Sequence, residues 1–163
     1  WDTFFGSHNP VNSGIGGDHT EHVLWRIEDG ALDGLAPKVA VILIGTNNIG
    51  GAQHTSEVAA SGVARVVGET ANRLPDAQIL LLGILPRDEL AGDLLRVKAT
   101  EANTLIAPLG GRERVEFLDI TPVFLEPDGR VDTAVMHDFL HLSEEGYRRL
   151  AEGISGALEP LLA

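Results

Sequence analysis

Two short segments of this chain are almost purely apolar: Val39-Ala40-Val41-Ile42-Leu43-Ile44, which follows Lys38, and Ile79-Leu80-Leu81-Leu82, which runs on through Gly83 to Ile84. A strand with one face in water alternates apolar and polar residues, whereas an unbroken aliphatic run of this length belongs to a strand covered on both faces, as in a parallel sheet. Between the runs the period changes. Val58, Ala59, Gly62, Val63, Val66, Val67 and Thr70 recur every three or four residues and mark one face of a long helix. Strand, helix, strand is a βαβ unit, and the remainder repeats it. Leu94 to Ile106 reads as another helix and Arg114 to Leu118 as another strand. Ser143 caps a last helix with Glu144 and Glu145 in its first turn and Tyr147, Leu150, Ala151, Ile154 and Leu158 on its buried side. The expected fold is therefore α/β, a three-layer α/β/α sandwich on a parallel sheet, with residues 1–163 forming one domain.

Composition narrows the function. The net charge of −12 argues against nucleic acid or an anionic membrane surface as the main partner, since either calls for a basic patch. The apolar runs are far too short to span a bilayer. Without cysteine there is no thiol nucleophile, thiolate metal site or disulfide framework, and neither compartment nor oligomeric state can be read.

At the N-terminus Trp1, Phe4 and Phe5 are spaced as one apolar helix face, and Gly6 stands where a left-handed residue closes a helix. The segment reads as the last turn of a helix that begins upstream. Pro10 to Ser13 is a candidate short strand leading into Gly14-Ile15-Gly16-Gly17-Asp18, where glycines permit a tight turn and close backbone approach to a ligand. Asp18 and Glu21 resemble a capping box for a helix bearing Val23, Leu24 and Ile27. The dinucleotide fingerprint G-x-G-x-x-G fails, because His19 occupies its last position.

Three segments carry candidate chemistry. Gly45-Thr46-Asn47-Asn48 follows the first apolar run, at the strand end where open α/β sheets bind ligands. An Asn amide there, like the N–H groups of a glycine turn, can donate to a developing oxyanion, although Gly and Asn are also ordinary turn residues. Asp138-Phe139-Leu140-His141 sets a carboxylate three residues from an imidazole, a spacing that suits an Asp orienting a general-base His. Alone, the tetrad is as readily a capped turn beside a surface His. His137 and His141 also stand four apart, as zinc-binding histidines do on a helix, but the helix is expected to begin only at Ser143, so they share no helical face. His8, His19 and His22 read as loop or surface residues.

In chain order, Asn12-Ser13-Gly14-Ile15-Gly16-Gly17-Asp18 with His22-Val23-Leu24-Trp25-Arg26, Gly45-Thr46-Asn47-Asn48, Gly83-Ile84-Leu85-Pro86-Arg87, and Asp138-Phe139-Leu140-His141-Leu142 with Gly146-Tyr147 resemble the SGNH (GDSL-type) hydrolase family. Within it they are most similar to the catalytic subunits of platelet-activating-factor acetylhydrolase. The resemblance implies a flavodoxin-like sheet and a serine esterase that cleaves short-chain, acetyl-type esters of small molecules, lipids or carbohydrates through an acyl-enzyme, with no metal or cofactor. It assigns Asp138 and His141 to the catalytic dyad, and the Gly17 N–H and Asn47 amide to the oxyanion hole. Leu85, Pro86 and Arg87, at the end of a strand, are candidate substrate-binding residues.

One block of the family pattern, the Gly-Asp-Ser that supplies the nucleophile and a third oxyanion donor, is absent. The resemblance places it upstream of Trp1, with the family's first strand, which lies between the strands at Pro10 to Ser13 and Lys38 to Ile44. Ser7 is expected at the opposite sheet edge, Ser13 lacks the strand-to-helix elbow that exposes a nucleophile, and Ser143 is a cap. The expectation is an N-terminally truncated hydrolase domain without its own efficient nucleophile; the alternative is a catalytically inactive, SGNH-like binding domain.

Overall fold

The computed structural model describes residues 2–163; Trp1 lies outside the described residues. Three parallel strands, β1 (Val39–Ile42), β2 (Gln78–Leu82) and β3 (Val115–Leu118), form one sheet in the order β1-β2-β3, with Val41 opposite Leu80 and Leu81 opposite Phe117. Because successive side chains of a strand point to opposite faces, β2 feeds two cores. Leu80 and Leu82 meet Phe124, Met136, Ile154 and Leu158 on the side of helix α6 (Glu144–Leu162). Ile79 and Leu81 meet Val63 and Val67 of α4 (Ser56–Arg73) and Ile106 of α5 (Leu94–Ile106). Helix α2 (Thr20–Glu28) adds Leu24 and Ile27 against Val66 on the α4 side. The short α1 (Asp2–Phe5) and α3 (Thr46–Gly50) complete the order. Helices thus cover both faces, and the α/β layering and parallel pairing match the expectation. Each fully buried Leu of β2 contributes about 1.5–3 kcal/mol of transfer free energy.

The ends of the sheet depart from it. Pro10 to Ser13 forms no strand: residues 9–15 are irregular, Val11 and Ile15 lie exposed, and no neighbouring strand offers them a ladder. β1, whose apolar run implies a strand covered on both faces, pairs with β2 alone among the described residues and is an edge strand. Val39 packs beside α6, but Val41 and Leu43 are 44% and 39% exposed.

Local caps also differ. Gly6 opens a 3-10 turn (Gly6–His8), and the left-handed residue that ends it is Asn9, a side chain that tolerates this conformation. Helix α2 starts two residues after Asp18, with His19 as N-cap and His22 as its reciprocal partner. Asp18 is instead committed to Arg26, at 2.6 Å. Ser143 caps α6 as expected, accepting from the Gly146 N–H, but Tyr147 is exposed; Gly146 takes the buried position, pressed against the Val135 carbonyl.

Candidate active site

The carboxyl ends of β1 and β2 open into a cavity of about 210 Å³. Its wall includes Ile15, Gly17 and Asp18 from the glycine turn, Leu43 to Asn47 after β1, Ile84 to Pro86 after β2, and Leu140. Four segments far apart in sequence, each singled out above, converge there.

The turn after β1 is held rigidly. Gly45 adopts φ 122°, which L side chains rarely tolerate, and the Ile84 side chain packs where a Cβ would project. Thr46 then begins α3 and places Asn47 in its first turn. The Asn47 amide donates from Nδ2 to the Asp18 carbonyl at 2.9 Å, fixing the rotamer while a second N–H of the same amide remains. Gly17, at φ 85°, turns the facing loop. Among the described residues nothing accepts the Gly17 N–H, so it remains a free donor at the cavity wall.

The Asp138-x-x-His141 segment is a turn built around its own carboxylate. Asp138 accepts through Oδ1 from the His141 N–H at 2.8 Å and the Leu140 N–H at 3.2 Å, while Oδ2 lies 2.7 Å from His141 Nδ1. Phe139 takes a left-handed conformation to close the turn, and its carbonyl accepts from the Asp88 N–H. Behind it, Val135 and Met136 are fully buried, and Ser143 ties back to Ala134 and Val135. The His141 ring, followed by its backbone N–H, holds the Asp138 carboxyl far below the usual carboxylate range, so it is ionised at neutral pH. An ionised acceptor on Nδ1 selects the tautomer with its proton there, leaving Nε2 unprotonated and able to receive one. Both side chains are open to solvent. Helix α6 begins after this segment, so His137 and His141 share no helical face.

Leu85 and Pro86 line the cavity, but Arg87 does not. Its guanidinium is drawn to the Thr46 carbonyl at 2.8 Å and Oγ1 at 3.2 Å, seated over Gly50 where any Cβ would collide with it. Arg87 therefore braces the turn carrying Asn47. Sequence alone places Asn48 in the Gly45-Thr46-Asn47-Asn48 segment and gives it no role of its own. Asn48 is 1% exposed and bonded to Thr20 and Glu21 across 28 and 27 positions, a partnership that no local pattern announces. No serine lines the cavity; Thr46 carries the one hydroxyl among its lining residues, and that oxygen accepts from Arg87.

The arrangement can orient an imidazole and leaves two N–H donors, of Gly17 and Asn47, on the wall of an apolar pocket, groups of the kind that acyl transfer uses. Comparison with known proteins agrees. Residues 3–149 match the GDSL-like Lipase/Acylhydrolase family. The chain is 40% identical over its whole length to the alpha1 subunit of platelet-activating factor acetylhydrolase IB from Homo sapiens, covering 69% of that protein. It is 37% identical to the alpha2 subunit from Rattus norvegicus, over 99% of this chain and 69% of that one. A structure described as a putative platelet activating factor from Streptococcus pneumonia superposes with a TM-score of 0.82 at 28% identity, over 96% of this chain and 76% of that one. A GDSL-like lipase from Bacteroides thetaiotaomicron shares the fold at TM-score 0.82 and 20% identity, over 98% and 80%. Matched to the family over residues 3–149 and to its acetylhydrolase relatives over its whole length, the chain belongs to the GDSL-like lipase/acylhydrolase family and is an ester hydrolase.

Proposed function

We propose that this domain cleaves short-chain, acetyl-type carboxylic esters through an acyl-enzyme intermediate, using a serine outside residues 1–163. The observation that carries this reading is the 2.7 Å Asp138–His141 contact, in a turn whose Leu140 lines the cavity that Gly17 and Asn47 also wall. The serine Oγ attacks the ester carbonyl carbon while His141 Nε2 takes the hydroxyl proton. The carbonyl oxygen becomes an oxyanion, received by the Gly17 N–H and the free Asn47 N–H. Collapse breaks the bond to the alcohol oxygen, which leaves with the proton from His141. Water repeats the sequence on the acyl-serine and releases the acid. Asp138 stays ionised throughout and stabilises the imidazolium.

The acyl preference is supported by the cavity. Ile15, Leu43, Ile44, Ile84, Leu85 and Leu140 make it largely apolar, and about 210 Å³ falls below the range that accommodates drug-sized ligands. The acetylhydrolase names of the relatives point the same way. An upstream Gly-Asp-Ser strand is supported by the absence of any serine among the cavity-lining residues and by the open edge of β1. On this reading residues 1–163 are part of one hydrolase domain whose first strand pairs with β1. An inactive binding domain is the competing reading, favoured by the same lack of a serine.

Hydrolysis of a chromogenic acetyl ester separates them. The gene product extended upstream to its natural start turns over, the chain as given does not, and His141→Ala silences the extended form. An extended form that binds esters without turnover, or whose turnover ignores His141→Ala, overturns the proposal.

A further inference from the structure

The two oxyanion donors, Gly17 in a turn and Asn47 in the first turn of α3, stand about 30 positions apart in sequence, and something must set the distance between them. The direct link is the single Asn47 Nδ2 bond to the Asp18 carbonyl. Behind it, on the side of α3 away from the cavity, lies a second and denser link through Asn48. Asn48 Oδ1 accepts the Thr20 N–H at 3.0 Å, one of the first-turn donors of α2 that the helix itself leaves without a partner. Asn48 Nδ2 donates to Thr20 Oγ1 at 3.1 Å and to Glu21 Oε2 at 3.0 Å, and Thr20 Oγ1 donates to the same carboxylate oxygen at 3.2 Å. Asn48 and Thr20 are 1% and 3% exposed, so the bonds between them are shielded from water, while the Glu21 carboxylate forms the exposed end of the network. Gly62 of α4 lies beneath Thr20, where any Cβ would collide with the threonine side chain, so packing holds Thr20 from below. The network joins the residue after Asn47 to the second residue after Asp18, and none of its three side chains lines the cavity.

We propose that Asn48, acting with Thr20 and Glu21, is a positioning residue that fixes the spacing and orientation of the Gly17 and Asn47 donors. The inference rests on the acyl-transfer reading above, because only there do these donors act together. The oxyanion exists only along the reaction path, and donors contribute to rate when they are already aimed at where charge develops. Loosening their spacing therefore lowers kcat and leaves ground-state ester binding, which depends on the apolar walls, largely intact.

The test uses the full-length gene product and an acetyl ester, with kcat and KM measured well below the melting temperature of each variant. Asn48→Ala lowers kcat on the order of 10- to 100-fold, the scale expected for a misplaced catalytic group, and moves KM by less than about 3-fold. Thr20→Val, which keeps the shape and removes the hydroxyl, acts in the same direction, and Thr20→Ser recovers most of the loss. Asn48→Asp turns a carboxylate oxygen toward Glu21 and is impaired; adding Glu21→Gln restores a donor and recovers part of kcat. These milder variants carry the test if Asn48→Ala fails to fold. Unchanged kcat in folded variants, or a loss confined to KM, overturns the assignment while the acylhydrolase reading stands. If the wild-type protein itself turns over no ester, that reading fails and the assignment falls with it.

Discussion

Strands β1 and β2 are nearly indistinguishable as sequence, Val-Ala-Val-Ile against Gln-Ile-Leu-Leu-Leu, yet they live in different environments. β2 has a partner on either side and helices on both faces, and Leu80, Leu81 and Leu82 are at most 2% exposed. β1 has β2 on one side only. Ala40 and Ile42 of β1 pack toward α4, and Val39 toward α6. Val41 and Leu43 share the Val39 face but lie partly exposed. An aliphatic run records that a strand is meant to be covered; it says nothing about which segment does the covering. An apolar, open edge is also a template for pairing with another strand, which sheet proteins ordinarily blunt with charge, proline, a bulge or a short strand. Val39–Ile42 carries no charge and no proline, and its protection as an edge is its shortness, four residues.

The comparison can be broken by truncation. Leu81→Ala in β2 costs about 3 kcal/mol in denaturant melts of the chain as given, within the range for a fully enclosed leucine, because a cavity is left behind. Val41→Ala in β1 costs about 0.5 kcal/mol or less in the same chain, since its side chain is already partly in water. In the form extended upstream the Val41→Ala cost rises above about 1 kcal/mol, as its face becomes enclosed. Equal costs for Val41→Ala in both forms would mean that no upstream segment covers β1.

A smaller effect sharpens the contrast from the other side of β1, where polar bonds rather than aliphatic contacts tie α2 to α3. The Glu21 carboxyl is held down from 4.5 to about 2, first by its own backbone N–H and then, against a desolvation cost, by the Asn48, His19 and Thr20 side chains. A carboxyl depressed by folding stabilises the native state fully above its ordinary value and loses that contribution as pH falls through the folded value. The stability difference between wild type and Glu21→Gln is therefore constant above about pH 4.5 and shrinks toward pH 2. A difference independent of pH would show that the charge of Glu21 plays no part.

What was legible in the sequence follows from the range of the interactions involved. Helix α5 runs from Leu94 to Ile106 as its periodicity indicates, and Ser143 caps α6, because both signals are local. Asp138 and His141 are legible for the same reason: three residues of turn bring them together whatever surrounds them. Gly17 and Asn47 could be named only through the family pattern, and the structure adds that they share a cavity. Pro10 to Ser13 was misread because a strand is defined by its neighbour, and there is none beside it here. The role of Arg87 escaped for a related reason. Its place at the end of a strand suggests contact with a ligand, but its nearest acceptor is the Thr46 carbonyl, 41 positions away.

The most direct test of the account is to find the residue that becomes acylated. The extended gene product is treated with a fluorophosphonate, which phosphonylates a serine activated by a neighbouring imidazole, and the adduct is located by peptide mass spectrometry. The account predicts a single adduct on the serine of an upstream Gly-Asp-Ser block, lost in His141→Ala. An adduct on Ser13 or any other serine of residues 1–163, or labelling that persists without His141, would contradict it.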